Sequence, residues 1–93
     1  MSPGMAVGRP AGRPVVRRVK MRGRRREIRL ETEFWRALEA IGEAEAFSVA
    51  ELCELIGERD RRAPASAVRV FVTAYYRELS EFGTRAMTAS AVN

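Results

Sequence analysis

Residues 23–35 read GRRREIRLETEFW, and the way this stretch finds a hydrogen-bonding partner decides the architecture of the chain. From Arg24 to Leu30 the side chains alternate. Arg25, Glu27 and Arg29 share one face and Arg26, Ile28 and Leu30 the other, the period of two expected of a half-buried strand. Only Ile28 and Leu30 make a good apolar pair, so the strand is short and lies on a small core with its other face in solvent. A lone strand leaves N–H and C=O groups unpaired along both edges, and a two-stranded unit survives only when packed on something larger.

Three helices are predicted downstream. The first begins at Glu31 or Thr32, either of which can cap, with Glu33 suited to the positive end of the helix dipole. Phe34, Leu38 and Ile41 follow the spacing of a core face, and Trp35 beside them reads as a packing anchor. The second helix has the clearest start: in FSVAE, Ser48 is the N-cap and Glu51 stands at the capping-box position, with Phe47 placed to staple the entry. Val49, Leu52, Cys53 and Ile56 then form its apolar face, and ERDRR with Pro64 ends it. The segment SAVRVFVTAYYRELSEFG admits two readings, because VRVFV is rich in β-branched residues. Yet Val68, Phe71, Val72, Tyr75, Leu79 and Phe82 give a helical stripe five turns long, and that uninterrupted length favours a helix capped by Ser66 and closed at Gly83.

Residues 1–22 are rich in Gly, Pro and Arg without hydrophobic periodicity and are expected to form a disordered basic arm. Val15, Val16 and Val19 could extend the strand backwards in a partner-bound state, though Gly23 interrupts it. The expected organisation is therefore an arm over 1–22, a domain over 23–82 and a flexible tail over 83–93.

At 93 residues there is room for one domain. With one cysteine and no histidine, neither an internal disulfide framework nor a Cys/His zinc site can form. Cys53 falls on an apolar helix face and reads as a small buried side chain. Neither an apolar signal region nor a run of membrane-spanning length is visible, so a cytoplasmic protein without a membrane partner is expected. The net charge of +5 conceals an asymmetry: residues 1–29 hold ten Lys/Arg against Glu27 alone, whereas residues 30–93 hold seven Arg against eleven acids. Basic charge confined to one end points to a polyanion. No nucleophile–base pair and no phosphate-cradling glycine motif stand out, so catalysis is not expected, and no cofactor or metal is implied.

One strand per chain calls for a second copy. Two chains related by a two-fold axis can pair their strands antiparallel, placing Ile28 and Leu30 on a shared helical core and Arg25, Glu27 and Arg29 outward. The major groove of B-DNA admits such a ribbon; arginine can pair with guanine O6 and N7, and glutamate can accept from the cytosine amino group. The same residues could instead form cross-strand ion pairs on a solvated face.

The join IRLETEFW, the capped second helix at FSVAEL and the order strand–helix–helix resemble the ribbon-helix-helix DNA-binding proteins. RGRRREIRLETEFWRALEAI, SVAELCELI and SAVRVFVTAYYREL together resemble a group of short bacterial ribbon-helix-helix proteins with an added third segment, over about residues 19–79. The resemblance implies a mainly α chain with one short strand, an intertwined homodimer with an intermolecular two-stranded ribbon, and sequence-specific binding of double-stranded DNA by a transcriptional regulator. It implies base contacts from Arg25, Glu27 and Arg29. At the start of the second helix it implies a phosphate held by Ser48 and the N–H groups of Val49 and Ala50, where a helix N-terminus suits an anion; a cap without a ligand is the other reading of those residues. The arm residues Arg17, Arg18, Lys20, Arg22 and Arg24 would add phosphate contacts.

Two positions depart from the family pattern. Glu27 is negative where a neutral polar residue is usual, and Arg26 is inward where an apolar one is usual. Either the ribbon is then ordered only from about Glu27, or Arg26 snorkels outward, and the base contact of Arg25 depends on which of the two holds. Two alternatives complete the expectations: an antitoxin-like interaction module with a protein partner at the third helix and tail, and RNA binding through the arginine-rich arm.

Overall fold

The computed structural model describes the backbone of residues 13–92 and the side chains of residues 13–81. Two strands open the chain, β1 (Pro14–Met21) and β2 (Arg24–Glu31), and three helices follow: α1 (Thr32–Glu45), α2 (Val49–Arg59) and α3 (Pro64–Val92). The strands pair antiparallel in a register that sets Val15 against Leu30, Arg17 against Ile28, Val19 against Arg26 and Met21 against Arg24.

This pairing corrects the expectation of one strand per chain. The edge of β2 is closed by residues of the same chain, 14–21, which the sequence had assigned to a disordered arm; the arm's first twelve residues lie outside the described residues. The physical reason is the turn. Arg22 and Gly23 both take positive φ, 56° and 76°, the backbone of a two-residue hairpin whose twist matches that of the flanking strands. Gly23 is thus the corner of the hairpin and no interruption to it, because glycine enters the left-handed region without a steric penalty. Arg22 has that penalty and offsets it: its guanidinium donates to the carbonyls of Gly57 (3.0 Å), Asp60 and Arg62 (2.7 Å). Carbonyls at the end of a helix lack intrahelical donors, so one side chain both fixes the turn and closes the C-terminus of α2.

The ribbon lies on the helices by its inner face. Met21, Ile28 and Leu30 are buried there, with Val19 packed at the margin. Strand β1 packs mainly on α2, while β2 touches α1 and α3. The approach of β1 is close because Gly57 faces it: a Cβ at Gly57 would overlap Met21 Cγ. Trp35, Leu38 and Ile41 of α1, Leu52, Cys53 and Ile56 of α2, and Ala67, Val68 and Val72 of α3 complete the core; Phe34, Val49, Phe71 and Tyr75 pack around it. Trp35 is the anchor the sequence predicts, and its indole N–H also donates to the Val15 carbonyl at 2.9 Å, tying β1 to α1.

At the helix ends the structure agrees in part with the sequence. The capping box at α2 is formed on both sides: Ser48 Oγ accepts from the Glu51 N–H (3.0 Å) and the Glu51 carboxylate from the Ser48 N–H (2.8 Å). At α1, Glu31 is the N-cap residue but makes no side-chain cap bond. Its carboxylate turns instead to Arg69 of α3, meeting Nε and Nη2 at 3.1 Å each. That bond is the main cause holding the Glu31 carboxyl below its ordinary range. Its contribution is present above the unfolded-state value and is lost as pH falls through the lowered folded one. Helix α3 starts at Pro64, a favoured first helical position, so Ser66 lies inside the first turn and does not cap. It also runs past Gly83 to Val92, where a helix stop and a flexible tail were expected.

Replacing Arg22 by Asn keeps a residue that tolerates positive φ but removes the donors to α2. Arg22→Asn is expected to lower stability by about 1–3 kcal/mol in urea unfolding; no loss would show that the α2 end does not depend on it. Burial, helped by Glu54, pushes the Cys53 thiol up to about 11. It is therefore expected to resist alkylation at pH 8 in the folded protein and to react on unfolding, a difference read by mass spectrometry.

Candidate nucleic-acid interface

Because strand side chains alternate, burying Met21, Ile28 and Leu30 turns Val16, Arg18 and Lys20 of β1 and Arg25, Glu27 and Arg29 of β2 to the opposite face. All six are exposed. The register places Val16 across from Arg29, Arg18 across from Glu27 and Lys20 across from Arg25. Four cations and one carboxylate thus occupy a surface two strands wide.

Within that face the carboxylate is already engaged. Arg18 Nη2 lies 3.3 Å from Glu27 Oε2, an exposed cross-strand pair that covers the one negative charge of the face. Arg29, Arg25 and Lys20 have no carboxylate partner among the described ion pairs. Cross-strand neighbours stand about 5 Å apart at Cβ, so Lys20 and Arg25 reinforce each other's field near the turn.

The remaining sequence-predicted contacts divide. Arg18 and Lys20, expected on a flexible arm, join the ribbon face itself. Arg17 points the other way: its guanidinium lies 4.8 Å from the Trp35 ring centroid and 3.3 Å from Glu39 Oε2, so it docks the ribbon onto α1. Arg22 is committed to the carbonyls of Gly57 in α2 and of Asp60 and Arg62 just after it. Arg24 is exposed beside the turn, paired with Met21. Arg26 resolves the question its inward position raised: the strand is ordered from Arg24, and Arg26 stays half-buried, its Nε donating to the Met21 carbonyl at 3.0 Å. Arg25 therefore sits in a formed strand.

The α2 N-terminus presents Ser48, Val49 and Ala50 at a partly exposed surface. The N–H groups of a first turn have no intrahelical acceptor, so Val49 and Ala50 can donate outward. Ser48 differs, since its N–H is taken by Glu51, whose carboxylate also brings negative charge to the dipole's positive end. A groove of about 660 Å³ runs between the end of α1, α2 and α3, lined by apolar residues such as Phe47, Leu55, Val70 and Phe71 and by charged ones such as Glu45, Arg59 and Asp60. Phe47, expected to staple the entry to α2, is 42% exposed there.

A family model of the ribbon-helix-helix domain matches residues 14–76, the span from the first residue of β1 to the middle of α3. The chain belongs to the ribbon-helix-helix family. Members of this family are generally DNA-binding transcription regulators, and their domains are typically not enzymatic. No curated protein and no solved structure matches the chain. The match includes β1, which falls in the span expected to be an arm; the alternation Val15, Arg17, Val19, Met21 is its signal, obscured by the arginine in an inward position. Among the described residues no helix is long and apolar enough to cross a membrane.

The two neighbouring arginines of β1 separate structural from surface roles. Arg17→Ala is expected to lower stability by about 0.5–1.5 kcal/mol through loss of the Trp35 and Glu39 contacts. Arg18→Ala should stay within about 0.5 kcal/mol of the parent in the same urea titration. A larger loss at Arg18 would invalidate the assignment of faces.

Proposed function

We propose that the protein is a transcriptional regulator, acting in the cytoplasm, that binds double-stranded DNA sequence-specifically by laying the outward face of its ribbon in the major groove. The observation that carries this is the face itself: four cations and one paired carboxylate on a two-stranded ribbon whose other side rests on a helical core. A two-stranded ribbon fits the width of the groove, about 12 Å, and presents side chains to the base edges.

The roles follow from position. Arg29 reads a guanine, having no carboxylate to compete for it, and Arg25 extends the reading toward the turn. Glu27 accepts from a cytosine amino group when the Arg18 guanidinium leaves it for a phosphate. Lys20 and Arg24 neutralise phosphate near the turn, and the Val49 and Ala50 N–H groups hold one at the start of α2. Arg17 and Arg22 leave the contact set, because their guanidinium groups hold the ribbon to the helices.

Members of the family generally bind DNA as dimers. Here the ribbon is complete within one chain, so a pair of copies would carry two ribbons and read two half-sites, with pairing placed elsewhere than along the strands. Phosphate neutralisation makes the affinity fall with salt.

The test begins with selection of bound duplexes from a random library. On the enriched duplex, Arg29→Ala is expected to reduce discrimination against random DNA by roughly 1–3 kcal/mol in a competition titration. An equal loss on both DNAs would reduce Arg29 to a phosphate contact, and failure to enrich any duplex would reject DNA as the ligand.

A further inference from the structure

Directly across from Arg29, the outward face holds a residue that charge does not explain. Val16 is 51% exposed, with Arg18 two residues along its own strand and Arg29 directly across the ribbon. The apolar side chains that stabilise the domain lie on the other face of β1, where Met21 is buried and Val19 packs against the core, so Val16 adds nothing to that packing. A β-branched residue suits a strand, and single exposed valines are common. Its position, however, is set by its neighbour.

Cross-strand partners hold their Cβ atoms about 5 Å apart. A side chain beside an arginine that reaches guanine O6 and N7 therefore stands over the same or the adjoining base pair. The major-groove edge offers one apolar feature there, the C5-methyl group of thymine. Toward the open end of the ribbon the outward positions are Val16 and Arg29, then Pro14 and Glu31; Glu31 is turned to Arg69, leaving Pro14 and Val16 as an apolar strip beside one arginine. A thymine next to a guanine presents the matching pair, a methyl group beside two acceptors.

We propose that Val16 is a specificity-determining residue: its exposed side chain packs on the C5-methyl of a thymine adjoining the guanine read by Arg29. The inference rests on the DNA-binding function above and adds a base-reading role for β1. It also gives the site a chemical preference for thymine-containing DNA over uracil-containing nucleic acid of the same sequence.

The experiment compares the enriched duplex with the same duplex carrying uracil in place of thymine, using the full chain and its Val16→Ser and Val16→Thr variants. Removing the methyl group is expected to weaken the parent by roughly fourfold, the worth of one buried methyl. Val16→Ser should bind the thymine duplex at that weakened level and show no further loss with uracil. Val16→Thr, which keeps a methyl and the β-branch, should retain part of the preference. Urea midpoints of the variants that coincide with the parent's establish that folding is unaffected. Equal binding of both duplexes by the parent would overturn the role of Val16 while leaving the DNA-binding function standing. Undiminished methyl sensitivity in Val16→Ser would overturn it as well, placing the methyl contact on another residue. A chain that enriches no duplex would overturn both.

Discussion

The interaction that the rest of the structure depends on is the set of donations from the Arg22 guanidinium to the backbone carbonyls of Gly57, Asp60 and Arg62, in the last turn of α2 and just beyond it. A two-stranded hairpin has little stability by itself, and Arg22 occupies a positive-φ position that a β-carbon disfavours. Both deficits are met at one place. The turn is anchored to the helix that β1 packs on, and the helix end acquires donors its own backbone cannot supply. With that corner fixed, the register of Met21 against Arg24 follows, and with it every in–out assignment along both strands. A slip of one residue would send Ile28 and Leu30 to solvent and Arg29 into the core.

The same corner divides the arginines into two populations. Arg17, Arg22 and Arg26 lie against the helices or the turn and bond to Glu39, to α2 carbonyls and to the Met21 carbonyl. Arg18, Arg25 and Arg29, with Lys20, face away from the core. Within the ribbon the basic composition is therefore only in part a field for an anion. One portion mounts a small sheet on a small core, where long side chains bury their stems and keep their charged ends bonded. The sequence shows a charge run; the strand pairing decides which charges are available.

Much of this was legible beforehand. The alternation from Arg24 to Leu30 placed Ile28 and Leu30 inward and Arg25, Glu27 and Arg29 outward, as the structure has them. The capping box at Ser48 and Glu51 marked the start of α2, and the long stripe through Val68 and Val72 decided α3 against the strand propensity of VRVFV. What was hidden was β1. PVVRRVKM carries an arginine at an inward position, and Arg17 is tolerated there only because Trp35 and Glu39 receive it from a helix more than a dozen residues away. The turn was hidden for a related reason. Arg-Gly lacks the familiar Asn-Gly signal of a two-residue hairpin, and the carbonyls that reward Arg22 belong to residues 57–62. Both omissions are tertiary: the residues that make each local choice favourable are remote in sequence. The continuation of α3 beyond Gly83 is the third difference, where a glycine suited to end a helix lies within one.

The claim on which the face assignment, the place of residues 14–21 in a strand and the completed ribbon all rest is that β1 and β2 pair within a single chain. Isotope-filtered NMR on a one-to-one mixture of labelled and unlabelled protein measures it directly, through contacts between Val15 and Leu30 and between Met21 and Arg24. Cross-strand contacts within the labelled chains, unchanged on dilution, are the expected result. Cross-strand contacts found only between labelled and unlabelled chains would show that the ribbon is shared by two copies and would contradict the account.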